Sequence, residues 1–448
     1  MTEAALSNRD PATAVQPLRI ALAGLGTVGV GVIRLIETNR EVIAARAGRA
    51  IEIVAVTARE RGRDRGVDLS PYAWVDDMQA MAARDDVDVV VELVGGSDGP
   101  ALTLARAAFD AGKGVVTANK AMVALHGLQL AEAAAIARAP FAFEAAVAGG
   151  IPVLKGLREG TAANALTRIY GVLNGTCNFI LSEMERTGAD FAEMLTEAQA
   201  KGYAEADPSF DIDGVDSAHK LAILAAIGFG TRIDFAAVRT EGITAVRASD
   251  ILQADSLGYV IRLVGLAAML EDEGTCRLLQ RVRPCLVPFR HPLGAVTGAT
   301  NAVVAEGDFS GRLLFQGAGA GDRPTASAVV ADLIDIARGQ SGAPFSVPTG
   351  SLMACEPADP GTRIGRDYIR FTVADRPGVL AELTAAMRDA DVSIESFIQR
   401  GRHADGGEVQ VALVTHAGPE ACVTKALRLL EGSPNLTAPP LVMPILGD

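Results

Sequence analysis

The chain is short of aromatics, of cysteine and of positive charge, and each shortage excludes something. Its 448 residues include one tryptophan and only 4 % aromatics. The five cysteines (Cys177, Cys276, Cys285, Cys355 and Cys422) are dispersed, odd in number and form no CxxC pair. That pattern argues against a disulfide framework and predicts reduced, cytosolic thiols. The net charge is −13, and no lysine/arginine block or basic-aromatic interleaving is present, which disfavours a general role on nucleic acid. No apolar run approaches the ~18 residues a membrane span needs. The opening MTEAALSNRDPATAVQP lacks the apolar stretch of a signal peptide, so residues 1–17 read as a mobile tail of a cytoplasmic protein. HExxH, EF-hand and GxSxG patterns are missing as well.

What is present is apolar and small. Hydrophobic residues make up 49 %, and there are 47 glycines. The chain is too long for one core, and this mix suits helices packed on sheets with tight turns. Apolar runs at 18–24, 51–58, 87–95, 114–120 and 141–147 alternate with segments of helical periodicity, so residues 18–151 predict a Rossmann-type parallel α/β domain. Residues 152–345 are less regular, predict an α+β substrate and dimerisation domain, and end in a glycine-rich return toward the nucleotide domain. The Pro- and Gly-rich 346–365 reads as a linker. Residues 366–448 follow a β-α-β-β-α-β order, the ferredoxin-like motif.

GLGTVG places Gly24, Gly26 and Gly29 in G-x-G-x-x-G spacing, between an apolar strand and a long helical pattern. Gly24 permits the turn, Gly26 lets a pyrophosphate approach the backbone, and Gly29 lets helix and sheet pack closely. Thr27 and Val28 open the helix whose free N–H groups would face the anion. A site for NAD usually carries an acid at the end of the second strand. Here VTARERGR has Arg59, which suits the 2′-phosphate of NADP, with NAD and a merely solvated arginine as the other readings.

GYAEADPSFDIDGVDSAHK gathers Glu205, Asp207, Asp211, Asp213 and Asp216 ahead of Lys220. The cluster admits three readings: a solvated loop, a metal site, or a pocket for a cationic substrate. Asp216 and Lys220 are four residues apart at the start of a helical run and so share a face. On a surface helix they would be an ordinary ion pair. The helix continues LAILAAIGF, which looks buried, so its polar start should face a cavity that Glu205 can also reach. Lys120, at the end of TANK, stands where ligands gather at strand carboxyl ends, or is simply exposed.

These pieces, together with FEAAVAGGIPVLKGLREG, YGVLNGTCNFIL and QGAGAGDRPTASAVVADL, occur in one order over residues 18–345 and resemble homoserine dehydrogenases. The resemblance implies interconversion of L-aspartate 4-semialdehyde and L-homoserine with NAD(P), on the route to threonine, methionine and isoleucine. It implies Lys220 as proton donor, Lys120 between cofactor and substrate, and Glu205 and Asp216 on the substrate, with Asp207, Asp211 and Asp213 left to loop structure. It further implies a monovalent cation, sodium, on backbone carbonyls around Glu144, Val147, Gly149 and Ile151, and Gly321 beside the nicotinamide. Cys177 is read as a packed thiol.

FTVADRPGVLAELTAAMRDADVSIESF resembles an ACT domain, with Asp375, Gly378, Val379 and Leu380 at the ligand loop. The implied effector is threonine, the alternative a domain kept for assembly, and the implied state a homodimer or homotetramer. Two rival functions follow. A phosphorylating aspartate semialdehyde dehydrogenase would need a nucleophilic cysteine. An amino-acid sensor with a degenerate dehydrogenase fold would lack the glycines or lysines.

Overall fold

The computed structural model describes residues 16–272, 275–400 and 407–447. The tail expected over 1–17 lies almost entirely outside the described residues. Two compact units are present: one comprises the chain up to Ala146 with Gly321–Pro344, the other Val147–Ala320 with the chain from Phe345.

The first unit begins with β1 (Leu18–Ala23), α1 (Thr27–Thr38), α2 (Arg40–Ala47), β2 (Ile51–Thr57) and the short β3 (Ala73–Trp74). It continues with β4 (Val89–Glu92), α3 (Pro100–Asp110), β5 (Gly114–Thr117), α4 (Lys120–Ala137) and β6 (Phe141–Ala142). The strands are parallel in the order β3-β2-β1-β4-β5-β6, the doubly wound dinucleotide-binding arrangement. Ile20, Leu22, Val89 and Val91 are buried because βαβ crossovers cover both faces of a parallel sheet.

The second unit carries β7 (Leu166–Val172), α5 (Gly175–Thr187), α6 (Phe191–Ala200), α7 (Ser209–Ile212), α8 (Val215–Phe229) and α9 (Ala248–Ser256). Then come the 14-residue strands β8 (Tyr259–Asp272) and β9 (Thr275–Pro288), followed by β10 (Thr300–Gly307) and β11 (Gly311–Ala318). Their order is β11-β10-β7-β8-β9, all antiparallel, with the Glu356–Pro357 pair added parallel to β9. Helix α8 is almost wholly buried. Gly228 lets it lie against the sheet, since a Cβ there would come 2.1 Å from Ile169 Cδ1. Left-handed glycines, Gly214 and Gly230, bound it at both ends.

Helix α10 (Asp322–Ala337) belongs to the first unit again and packs on α1. A Cβ at Gly31 would lie 2.9 Å from the Asp322 carbonyl oxygen, so only glycine permits that approach. The C-terminal region supplies β12 (Asp367–Ala374), α11 (Val379–Asp389), β13 (Ile394–Arg400), β14 (Glu408–Thr415), α12 (Glu420–Leu429) and β15 (Leu436–Pro444). Its antiparallel sheet runs β13-β14-β12-β15, completing the expected β-α-β-β-α-β module.

Three local expectations are corrected. The run 141–147 is a strand only at Phe141–Ala142, because the Glu144 N–H turns to donate to Asp332 Oδ2 at 2.8 Å and starts a 3-10 turn. Lys120 does not end a strand. Strand β5 stops at Thr117, and Asn119 caps α4 by accepting the Met122 N–H at 3.1 Å, so Lys120 is the first helical residue. Nor are all the thiols free. Cys276 and Cys355, 79 residues apart, form a disulfide with Cα atoms 4.9 Å apart. Parallel pairing of Arg277 with Glu356 sets the two cysteines side by side, one residue before that register.

Candidate active site

The cofactor end lies at the carboxyl edge of the parallel sheet. Gly24 has φ +101°, and a Cβ there would fall 2.5 Å from the Leu93 carbonyl oxygen. At Gly29 it would fall 2.0 Å from the Gly24 oxygen, whereas around Gly26 a Cβ would meet open space. The first and last glycines therefore close the turn, and the middle one leaves room. Gly26 and Thr27 are exposed, Val28 is half-buried, and the N-terminus of α1 opens on that space. This cradle fits a dinucleotide pyrophosphate. Arg59 is exposed just beyond β2. The loop after it folds so that Arg65 Nε donates to the Leu25 carbonyl at 3.2 Å, and Arg61 and Arg65 stand 5.7 and 5.8 Å from the Trp74 ring. Neither arginine was singled out from the sequence, although their spacing in RERGRDR was the available signal.

Lys120 is half-buried, next to a buried polar network. Glu92, fully buried at the end of β4, accepts from the Val94 and Gly95 N–H groups at 2.8 and 3.0 Å and from the Thr117 hydroxyl at 2.6 Å. Thr117 Oγ1 in turn takes the Asn119 N–H at 2.9 Å. Gly321, at φ +118°, is the N-cap of α10.

The acidic stretch breaks into two parts. Asp216 and Lys220 lie on the first turns of α8, with side chains 5 % and 11 % exposed. The Lys220 ammonium donates to Asp216 Oδ2 at 2.8 Å and to the Leu173 carbonyl at 2.7 Å. Asn174 Nδ2 donates to Asp216 Oδ2 at 2.8 Å and to Asp211 Oδ1 at 2.7 Å. The Thr176 hydroxyl lies 3.0 Å from Asp211 Oδ2 and 2.8 Å from the Tyr203 carbonyl. Asp211 thus belongs to the lysine cluster rather than to the loop alone. Asp211 stands on the short helix α7, which directly precedes the Gly214 turn into α8. Asp207 caps its own loop by taking the Ser209 N–H at 3.1 Å, and Asp213 is exposed. Glu205 is exposed too, and its carbonyl takes a bond from Gln199.

Val147, Gly149 and Ile151 sit on irregular backbone containing two successive left-handed residues, Ala148 (φ +56°) and Gly149 (φ +54°). Glu144 is buried in the other unit, on the 3-10 turn. Among the described residues no group of three or more His, Cys, Asp or Glu side chains could hold a metal ion. In the C-terminal module, Gly378 (φ +96°) precedes α11, with Val379 buried, Leu380 exposed and the Asp375 N–H bonded to the Gly407 carbonyl.

Cys177 lies inside the cluster, its thiol 3.1 Å from the Asp211 carbonyl. Burial pushes it well above an ordinary thiol, and the Asp211 and Asp216 carboxylates push the same way. Burial likewise raises Cys285 to about 11. A thiol so raised is not a nucleophile near neutral pH. Iodoacetamide should therefore label only the half-buried Cys422 in the folded protein and spare turnover. Under denaturing conditions three thiols should react, rising to five after reduction. Alkylation of Cys177 with loss of activity would restore the thiol-based dehydrogenase.

The comparisons agree with this architecture. The homoserine dehydrogenase family profile matches residues 152–334, the profile of that enzyme's NAD-binding domain matches 24–144, and the ACT domain profile matches 368–431. The chain is 41 % identical over 439 residues to the Pseudomonas aeruginosa homoserine dehydrogenase, covering 95 % of this chain and 98 % of the other. To the Mycobacterium bovis enzyme it is 43 % identical over 425 residues, with 93 % and 95 % covered. The crystal structure of the Thiobacillus denitrificans homoserine dehydrogenase superposes with a TM-score of 0.89 at 39 % identity, over 96 % of this chain and 98 % of that one. A hyperthermophilic archaeal homoserine dehydrogenase in complex with NADPH gives 0.60 at 26 % identity, over 71 % and 97 %. With relatives this similar along nearly their whole length, the chain belongs to the homoserine dehydrogenase family.

Proposed function

We propose that the enzyme reduces L-aspartate 4-semialdehyde to L-homoserine, and runs the reverse oxidation, with Lys220 as the proton donor and acceptor. The observation that carries this is the hydrogen bonding of the Lys220 ammonium. It has three N–H donors, and Leu173 and Asp216 take two of them. The third remains for a substrate oxygen. When bound, the nicotinamide supplies the hydride to the carbonyl carbon, so the protein must orient the substrate and deliver a proton to the nascent alkoxide. Asp216 keeps the ammonium in place, and Asn174 ties Asp216 to Asp211. Glu205 and Asp216 bind the substrate, Glu205 at its amino group.

Gly24, Gly26, Thr27, Val28 and Gly29 would hold the pyrophosphate, with Gly321 and Lys120 toward the nicotinamide. Arg59, assisted by Arg61 and Arg65, gives a preference for NADP, since guanidinium forks suit a phosphate. A sodium ion on the carbonyls of Glu144, Val147, Gly149 and Ile151 would support the site, because oxygen dipoles can replace an ion's hydration shell. The assay is loss of NADPH absorbance with L-aspartate 4-semialdehyde, repeated with NADH and with choline in place of sodium. Turnover with NADPH that falls in both substitutions is expected. Folded protein without turnover would end the reading; equal rates with NADH, or in choline, would remove the NADP preference or the cation respectively.

The C-terminal module is proposed to bind threonine at Asp375, Gly378, Val379 and Leu380 and to lower activity. Its first strand is joined to the substrate-binding part by buried polar contacts. The Tyr368 hydroxyl lies 2.9 Å from Asp250 Oδ1 and 2.7 Å from the Gln253 amide oxygen. Arg370 pairs with Asp250 at 3.0 Å and donates to the Ala245 carbonyl at 3.0 Å. The neighbouring Ile243 N–H reaches the Ile212 carbonyl at 2.9 Å, beside Asp211. Threonine should inhibit the wild type, and Arg370→Leu should weaken that inhibition several-fold with basal turnover kept. Absence of both threonine binding and inhibition would leave the module an assembly device.

A further inference from the structure

Asn301 sits at the start of β10 and is 1 % exposed. Strand pairing sets Ala302 opposite Val172, the last residue of β7, so Asn301 faces Leu173 one step past the end of that ladder. There the side chain takes over from the backbone: Asn301 Nδ2 donates to the Leu173 carbonyl at 2.7 Å. The same carbonyl accepts the Lys220 ammonium at 2.7 Å. A carbonyl oxygen has two lone pairs, and here both are engaged. The amide orientation is forced, because the flipped form would press two oxygens together. It leaves Asn301 Oδ1 buried with no hydrogen-bond partner among the described residues, a cost that calls for an explanation.

The glycine-rich return lies directly on this amide. A Cβ at Gly319 would come 2.1 Å from Asn301 Cγ and 2.2 Å from Oδ1. Gly319 is therefore glycine because Asn301 occupies the space, and the return clamps the amide against Leu173.

We propose that Asn301 is a positioning residue for Lys220, fixing the Leu173 carbonyl that, with Asp216, sets the direction of the one ammonium proton left for the substrate. Gly319 acts through Asn301. The inference rests on the reading of Lys220 as proton donor. Without the amide, the Leu173 peptide is held on one side only, and the ammonium loses its fixed direction. Small misplacements of a reacting group cost up to about 100-fold in rate.

The test compares Asn301→Asp, Asn301→Ala, Gly319→Ala, the Asn301→Ala/Gly319→Ala double variant and Lys220→Ala in the full-length enzyme. Asn301→Asp keeps the side-chain shape and removes the donor. Each single change at 301 or 319 should lower kcat about 10-fold or more, leave KM for NADPH within about twofold, and raise the solvent isotope effect on kcat as proton delivery becomes limiting. A purely structural role would lower the folded fraction without raising that isotope effect. In the double variant the Gly319 substitution should cost little more, because the space it needs has been vacated. Asn301→Asp with wild-type kcat and isotope effect would overturn the inference, as would an undiminished Gly319→Ala penalty in the double variant. If Lys220→Ala itself turns over normally, the fault lies with the assignment of Lys220 and the inference falls with it; Lys220→Ala inactive beside normal Asn301 variants overturns the positioning role alone.

Discussion

Lys220→Ala should lower kcat about 10²–10⁴-fold, the range that a positioned general acid contributes. NADPH binding should survive, because the glycine cradle and the arginine loop belong to the other unit. Loss of kcat and of kcat/KM for the semialdehyde in similar proportion would mark an interaction made in the transition state. The side chain is 11 % exposed and bonded to a carbonyl and a carboxylate, an uncommon position for a lysine unless it is paired or functional. A near wild-type rate in this variant would move the proton-transfer role to Lys120, on the first turn of α4.

Asp216→Ala should cost stability as well as turnover. The Asp216 side chain is buried and its carboxylate accepts from both Lys220 and Asn174. Removing it strands a cation in a nearly closed site, and breaking a buried pair from one side costs about 3–5 kcal/mol. A urea titration should show the midpoint falling with little change in slope. An Asp216→Leu/Lys220→Met double variant should recover most of the lost stability, since no unpaired charge remains, yet stay inactive. Stability of Asp216→Ala within about 1 kcal/mol of wild type would mean that the pair is far better solvated than its burial suggests.

How much of this could be read from the residues depended on whether the contact had a side-chain signature. The glycine spacing after an apolar strand pointed to the turn at Gly24, and the i,i+4 spacing pointed to a shared face for Asp216 and Lys220. Both are local rules. The β-α-β-β-α-β order of the C-terminal module was likewise visible in alternating apolar runs. The second partner of Lys220 is not local. It is the backbone carbonyl of Leu173, which any residue could provide, and the other donor to that carbonyl, Asn301, is 128 residues away from it in sequence. Strand pairing alone brings them together. The same is true of Cys276 and Cys355, whose dispersal in the chain suggested free thiols until a two-residue parallel pairing placed them side by side. GVVTANK opens on an apolar Gly-Val-Val and reads as a strand through Lys120. The Asn119 cap, a helix-start signal, ended the strand sooner. For Asp211, nothing in the sequence separates a carboxylate bonded to Asn174 and Thr176 from one facing water.

A crystal structure of the enzyme with NADP and L-homoserine tests the central claim most directly. Lys220 Nζ should keep its bonds to Asp216 and Leu173 and stand about 3 Å from the substrate hydroxyl oxygen, at hydrogen-bonding distance. A substrate hydroxyl bound to a different donor, with the Lys220 ammonium satisfied by protein groups alone, would contradict it.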